Sequence, residues 1–489
     1  MSPNVSKNVS IELFPVPQPV QFTDLPTPKP LPGATPASTI ALREALLDDY
    51  KRFHCFFNEL GFHNHSAHTA IALWYLGADA DIIKAAYANQ AAYQRATFSA
   101  PGPINKDNWT HHLGNEKYYD AYLAFFVGEL AAKDSDDVLE KYVFSDAANF
   151  PGSEHQVEML TRFDEGLLHP FIHAGYGFEL GLPGMVAEGL AQAAVHQANG
   201  SRLIPPNWFK DTKEVRPNTT KSVIDVLARV ITDPEIGFTT TPHLMSMYKQ
   251  SVQNFAEKIV AHVEAWTPDL SEEGLHKTLE EVVFFANLIY AIPGLVSKEE
   301  GGFNADFFTM HFVTSSMFLS SFLVHLKPKS QALLLRSYVS MCLAWFISRG
   351  KPQLDIEAFF AQSDSLKSLI EAPPVSRPSL PKIPAASARS SNPWTSVLEA
   401  TMVHPDEHIS KIQRTLMHYA QVYGNIEAGH FKGTELKGAE KIDGTLFVRA
   451  ANLTAARLND GVNKELLPGG AISWWDRRGF WPQASDPKL

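Results

Sequence analysis

Apolar residues recur every three or four positions along most of this 489-residue chain, whereas the alternating pattern of a half-buried strand is scarce. The first such run begins after Ser38, a suitable N-cap, and ends at Gly61. Short connections follow, since Gly77 ends the next helical run and Asp79 begins another. The pattern predicts an all-α protein with one large, bundle-like helical domain.

The predicted helices extend almost to the end of the chain. After the first three, they are expected at 118–132, 154–167, 183–198, 220–232, 243–266, 272–290, 305–326, 330–348, 354–370, 405–424 and 445–458.

Two proline-rich segments divide this helical pattern. Residues 1–37 are expected to form an arm, either packed on the body or loose, and residues 372–393 a Pro/Ser-rich linker or surface loop. Residues 38–371 are then the catalytic helical region. Residues 394–489 are expected to complete the same domain.

Charge and cysteine content exclude several classes of partner and location. The net charge is −11, from 42 Lys+Arg against 53 Asp+Glu, with no basic block, which argues against a nucleic acid or an anionic membrane as partner. Cys55 and Cys342 lie in apolar helical patterns and are predicted to be reduced core thiols, so the expected location is cytoplasmic. No apolar stretch reaches the roughly 20 residues of a membrane span. The sequence leaves the oligomeric state open.

Histidines are grouped in a way that suggests a metal site. Three short segments each hold several of the 19 histidines, and one more lies in an apolar helix: HNHSAH (His63, His65, His68), HPFIH (His169, His173), HPDEH (His404, His408) and MHFVT (His311). Neutral imidazole is the commonest protein metal ligand, and pairs spaced three or four residues apart share one helical face. Such a site suits Fe, Zn, Cu or Ni better than Mg or Ca.

Structural interpretations of the same residues remain open from spacing alone. His169 could be only a helix cap before Pro170, which suits a first helical position, leaving His173 to project inward. His311 could be a hydrogen-bonded core residue. Lys411, one turn after His408, could be a surface cation.

Familiar catalytic motifs are missing from the sequence. It contains no HExxH, GxSxG or paired CxxC arrangement. The nearest approach to a dinucleotide-binding loop, Gly175 to Gly181, has the wrong final spacing and follows no predicted strand. The sequence therefore gives no support to a serine hydrolase, a classical zinc protease or a Rossmann-type enzyme.

The histidine segments, taken in order, resemble the questin oxidase-like family. The segments that carry the resemblance are HNHSAHTAIALWYLGADADIIKAAY, HPFIHAGYGFELGLPGMVAEGLA, MHFVT and HISKIQRTLMHYAQVYG, and the likeness extends from about residue 40 to the WWDRRGF tail. The resemblance implies a mostly α-helical oxidoreductase of fungal aromatic-polyketide pathways. Members of this family oxidatively open anthraquinones and related quinones, including by Baeyer–Villiger-type steps.

The same resemblance implies the functional residues. The family's histidine positions fall on His65, His173, His311 and His408, and its lysine on Lys411. His68 and His169 match additional histidines of fungal members and are expected to be catalytic. Thr69 stands where such members often have a further histidine.

The mechanism that this resemblance implies is oxygenation at a non-haem Fe²⁺ ion, with an aromatic polyketide and O₂ as substrates. His65, His173, His311 and His408 are the expected metal ligands. Lys411 is expected to act as a neutral base or, after taking up carbon dioxide, as a carbamate ligand. The alternatives are an NADPH-dependent Baeyer–Villiger monooxygenase without metal, a zinc-dependent hydrolase or lyase, and a helical protein that binds without catalysis.

Overall fold

The computed structural model describes residues 13–21, 25–152, 157–210, 219–297, 302–362, 364–366, 369, 392–459, 465–466 and 472–481. Within them the fold is all-α, as predicted. The helices are α1 (Pro36–Arg52), α2 (Ser66–Tyr75), α3 (Ala80–Ala91), α4 (Tyr119–Ala132), α5 (Ser135–Leu139), α6 (Met159–Leu180), α7 (Pro183–Val195), α8 (Val223–Thr232), α9 (Met247–Glu264), α10 (Glu272–Gly294), α11 (Met310–Ser316), α12 (Leu319–Leu323), α13 (Pro328–Ser348), α14 (Ile356–Ala361), α15 (Pro393–Met402), α16 (Glu407–Tyr423) and α17 (Leu446–Asn459). The strands in these residues are an antiparallel pair, β1 (Glu465–Leu466) and β2 (Ile472–Ser473).

Helix α1 begins three residues earlier than the sequence predicted. Thr35 is the N-cap, and its side chain accepts a hydrogen bond from the backbone N–H of Ser38 at 3.1 Å. The Ser38 hydroxyl accepts in return from the backbone N–H of Thr35 at 2.8 Å. The expectation that Ser38 itself is the cap was wrong, because Ser38 occupies the third helical position of a capping box.

Helix α6 is interrupted in the middle, at Glu165–Leu168. Gly166, Leu167 and Leu168 have φ angles of 58°, 58° and 64°, so one left-handed turn separates two right-handed halves. The second half begins at His169 and Pro170, in agreement with the prediction that this proline starts a helix.

The helix predicted over 305–326 is instead the two short helices α11 and α12. The Oγ1 of Thr314 donates to the carbonyl of His311 at 3.2 Å, and the Oγ of Ser316 donates to that of Val313 at 2.7 Å. Hydroxyl groups that bond to carbonyls three residues back compete with the helical ladder, which accounts for the division.

A single hydrophobic core joins distant parts of the described chain, from Leu13 to Trp475. Phe14 in the proline-rich arm is fully buried, and the backbone N–H of Val20 donates to the carbonyl of Glu179 at 2.8 Å. The described part of the arm therefore packs on the body. The segment 372–393 lies outside the described residues except for Asn392 and Pro393, which begin α15.

Four helices bring the histidine segments together. Helix α2 packs on α16, and α11 contacts both α16 and α6. The N-terminal ends of α2, α11 and α16 therefore meet the start of the second half of α6 inside the protein. The indole N–H of Trp475 donates to the Oδ1 of Asp406 at 2.9 Å, which ties the C-terminal tail to this region.

Helix α13 (Pro328–Ser348) is long and apolar enough to cross a membrane when only its length and composition are considered. However, 78% of its most apolar window is buried inside the protein, as in a core helix. The two cysteines, Cys55 and Cys342, are buried and unpaired, as predicted.

Candidate active site

The predicted site residues lie in one buried cluster. None of them is more than 5% exposed, although they come from α2 or its N-cap, α6, α11 and α16. The members are His65, His68, His169, His173, His311, His408 and Lys411. The structure therefore brings together groups that lie up to several hundred residues apart in the sequence.

Three of these histidines form a potential metal-binding set. One ring nitrogen each from His65, His311 and His408 lies within 4.8 Å of the others. The ring centroids of His65 and His408 are 4.5 Å apart, and those of His311 and His408 are 5.4 Å apart. Three imidazoles that converge in this way can bind one transition-metal ion.

His311 and His408 each present a bare ring nitrogen. The Nδ1 of His311 donates to the carbonyl of Phe307 at 2.8 Å, and its Nε2 has no hydrogen-bond partner among the described residues. Neither ring nitrogen of His408 has a hydrogen-bond partner there, although its Nδ1 lies 3.3 Å from the Oδ1 of Asp406. A buried histidine held at Nδ1 by a carbonyl, with Nε2 free, as in His311, has the arrangement typical of a metal ligand.

His169 contacts one member of this set, His65. Its Nδ1 contacts the carbonyl of Gly166, and its Nε2 lies 2.8 Å from the Nε2 of His65. The left-handed turn before His169 supplies that carbonyl. Its glycine is sterically required, since a Cβ on Gly166 would lie 2.6 Å from the Cε1 of His63. The structure therefore shows more than a cap at His169.

Two histidines of the potential metal-binding set, His65 and His311, favour the neutral form. Burial lowers the pKa of His65 well below its ordinary value, and the charges of Lys411 and His408 lower it further. The pKa of His311 is lowered by the same three causes. Neutral imidazole is the form that binds a metal ion.

Lys411 is a buried amine, and the surface interpretation is wrong. Its side chain is 2% exposed, and Nζ has no hydrogen-bond partner in the described part of the chain. Burial lowers the pKa of Lys411 to about 7, although the nearby Glu407 and Asp406 oppose this shift. An amine with such a pKa can gain or lose a proton near neutral pH.

His173, expected beside the other metal ligands, instead lies between His68 and Glu188. The Nε2 of His68 and the Nδ1 of His173 are 3.0 Å apart, and the Nε2 of His173 lies 3.1 Å from the Oε2 of Glu188. Both ring nitrogens of His173 therefore face protein groups.

Sequence reasoning missed four polar residues at the cluster. Glu188 on α7 and His196 beyond it carry no local signal, because their partners lie on other elements. Asp406 and Glu407 did carry one, since two acids precede His408 in HPDEH. The Nε1 of Trp475 donates to Asp406 at 2.9 Å, which fixes the carboxylate beside the histidine.

The site indicates the class of protein, and similarity to known proteins identifies the family. A helical protein with a buried set of histidines and an amine is suited to redox chemistry on a small molecule. Residues 62–416 match the family model described as Questin oxidase-like. The chain belongs to the questin oxidase-like family, which confirms the resemblance, and it is an oxidoreductase.

Similar proteins cover most of the chain. The Baeyer-Villiger oxidase ptaJ of Pestalotiopsis fici is 25% identical over 457 residues, which cover 89% of this chain and 92% of the relative. The Baeyer-Villiger oxidase mdpL of Emericella nidulans is 28% identical over 354 residues, covering 66% and 73%. The questin oxidase of Aspergillus fumigatus is 25% identical over 439 residues, covering 84% and 87%.

Proposed function

We propose that this protein is an oxygenase that opens a ring of an anthraquinone-type aromatic polyketide, using O₂ and a non-haem Fe²⁺ ion. The relatives named questin oxidase and Baeyer-Villiger oxidase support the reaction class. The observation that carries the metal proposal is the pair of buried, unpartnered Nε2 atoms of His311 and His408 beside His65, as judged over the described residues.

The residues present fit a ferrous ion. His65, His311 and His408 would hold it, and the Nε2 of His169 faces the same set. When bound, the ion would supply redox chemistry with dioxygen. Neutral imidazoles bring no negative charge, but Asp406 and Glu407 lie 3.3 and 3.7 Å from the Nδ1 of His408 and partly supply it.

Lys411 is the group proposed to deliver a proton to oxygen. With a pKa near 7, its ammonium form can donate a proton from Nζ and be protonated again between turnovers. Lys411 lies one turn after His408 on α16, which supports this role.

Aromatic rings around the cluster suit a flat substrate. The ring of Phe307 lies 5.0 Å from that of His311 and 5.1 Å from that of His408, and Tyr176 stacks on His68 at 5.1 Å. These apolar faces can stack on a tricyclic quinone and keep water from the reacting atoms.

Turnover with an anthraquinone under ¹⁸O₂ tests the proposal. We expect a ring-opened product that contains ¹⁸O, no product without oxygen, and no product from His311→Ala. Turnover without oxygen would contradict the proposal and favour a zinc-dependent hydrolase or lyase, in which the imidazoles activate water.

A second candidate is an NADPH-dependent Baeyer–Villiger monooxygenase without metal. The names of the relatives favour it, because several are Baeyer-Villiger oxidases or monooxygenases. Consumption of one NADPH per product, unaffected by removal of metal, would establish this reaction in place of the iron-dependent one.

A further inference from the structure

Three residues from three helices form a hydrogen-bonded chain that ends beside the proposed metal ligands. Glu188 on α7 lies 3.1 Å from the Nε2 of His173, and the Nδ1 of His173 lies 3.0 Å from the Nε2 of His68. All three are buried, at 6%, 4% and 1% exposure. Because both histidine rings and the carboxylate are buried, the hydrogen bonds within this chain decide which ring nitrogen of each histidine carries the proton.

The order of protons along this chain follows from hydrogen-bonding capacity. An ionised carboxylate only accepts, so the Nε2 of His173 must donate to Glu188. With that proton on Nε2, the Nδ1 of His173 accepts from the Nε2 of His68. In neutral His68 this leaves Nδ1 as a bare acceptor. That atom is buried and has no partner in the part of the chain that the structure describes.

A buried acceptor without a partner calls for a ligand that donates to it. The ring of His68 stacks on Tyr176 at 5.1 Å and lies 5.8 Å from the ring of His65, so the bare nitrogen belongs to the site where the substrate is proposed to bind. Electron-rich aromatic polyketides present phenolic hydroxyl groups, which donate a hydrogen bond and react faster with oxygen once ionised.

We infer that Glu188, His173 and His68 act together as a base, in which the Nδ1 of His68 accepts the proton of a phenolic hydroxyl of the substrate. This inference rests on the proposed function. The O–H bond breaks and its electron pair stays on oxygen, while an N–H bond forms at Nδ1, so the step consumes no oxidant. His68 is the catalytic residue, and His173 and Glu188 are positioning residues that hold the proton of His68 on Nε2 and leave its Nδ1 bare.

The variants His68→Gln and Glu188→Gln test this chain, with Glu281→Gln as matched control. Glu281 is similarly buried, at 7% exposure, and its carboxylate accepts from a backbone N–H that a carboxamide can also satisfy. We expect kcat to fall about 10²-fold or more in both test variants and to stay unchanged in the control. This decrease in kcat should largely disappear for a substrate whose ring hydroxyl is already ionised at the assay pH. An equal decrease in kcat for the protonated and the ionised substrate would overturn the assignment of His68 as the base.

Two readouts separate this inference from the proposed function. In ¹⁵N NMR of histidine-labelled, chelator-treated full-length protein, His68 should carry its proton on Nε2, and Glu188→Gln should abolish that single tautomer; a proton on Nδ1 in the wild type would overturn the inference. Iron content should be unchanged in His68→Gln, and its loss would make His68 a ligand and contradict the base role. A wild-type protein without iron would instead contradict the proposed function. The tautomer of His68 would still test the hydrogen-bonded chain independently.

Discussion

The Nε2 atoms of His65 and His169 lie 2.8 Å apart, although 104 residues separate the two along the chain. The Nδ1 of His169 is engaged by the carbonyl of Gly166, so its Nε2 carries a lone pair. That lone pair is satisfied either by a proton on His65 or by a cation that both rings face. The pair is thus the meeting point of α6 with the N-terminal end of α2.

Replacement of His169 tests whether this facing pair belongs to the metal site. His169→Ala should weaken iron binding by about tenfold or more, because it removes a nitrogen directed at the ligand set. Chelator competition measures this affinity. His430→Ala is the control, since that side chain is 42% exposed and pairs with Glu280 at the surface. Equal iron affinity in His169→Ala and wild type would place His169 outside the metal site.

Replacement of Lys411 by methionine separates proton delivery from metal binding. Lys411→Met keeps the length and burial of the side chain but removes the amine, so kcat should fall about 10²-fold or more while iron content stays unchanged. Steady-state kinetics and metal analysis of the same preparation provide the two measurements. Full activity in this variant would exclude both the proton-donor and the carbamate roles of Lys411.

The buried carboxyl of Asp164 should make stability depend on pH. Burial raises the pKa of Asp164 from 3.8 to about 8, so between these values the folded state binds a proton that the unfolded state has lost. The stabilisation is fully present below about pH 4 and is lost as the pH rises towards 8, at no more than about 1.4 kcal/mol per pH unit.

Urea unfolding at pH 5 and pH 8 checks this prediction. From pH 5 to pH 8 the free energy of unfolding should fall more in the wild type than in Asp164→Asn, whose side chain cannot ionise. The exposed Asp107 provides the control, because Asp107→Asn should leave the wild-type difference intact. Identical pH slopes in wild type and Asp164→Asn would show that Asp164 does not bind this proton.

The left-handed turn in α6 should tolerate no side chain at Gly166. Gly166→Ala combines a φ of 58° with a Cβ placed 2.6 Å from His63, so we expect a loss of about 1–3 kcal/mol and weaker iron binding through displaced histidines. Gly61→Ala separates the two causes, because its φ is 78° but nothing lies within 4 Å of its Cβ. A Gly166→Ala protein no less stable than Gly61→Ala would contradict the steric argument.

Most of the fold could be predicted because helical periodicity is a local property. The bounds of α2, α3 and α4 agree closely with the apolar pattern, and Asp79 caps α3 as expected. A helix end near 167 and a new start at Pro170 were expected, but the left-handed turn that separates the two halves of α6 was not, because Leu167 and Leu168 favour ordinary helix.

The candidate site was predictable only in part, for a similar reason. Spacing identified His65, His169 and His408 as candidates, since each belongs to a local pair. The roles of His173 and His311 depend on Glu188 and on the carbonyl of Phe307. Contacts of this kind form across helices or within a local turn that periodicity does not specify.

Metal content is the most direct test of the proposed centre. We would measure it by plasma mass spectrometry on anaerobically purified wild type, His311→Ala and His408→Ala, with circular dichroism to establish folding. We expect about one iron per wild-type chain and little iron in either folded variant. Folded, active wild-type protein without iron, or variants that retain it, would contradict the assignment of His65, His311 and His408 as its ligands.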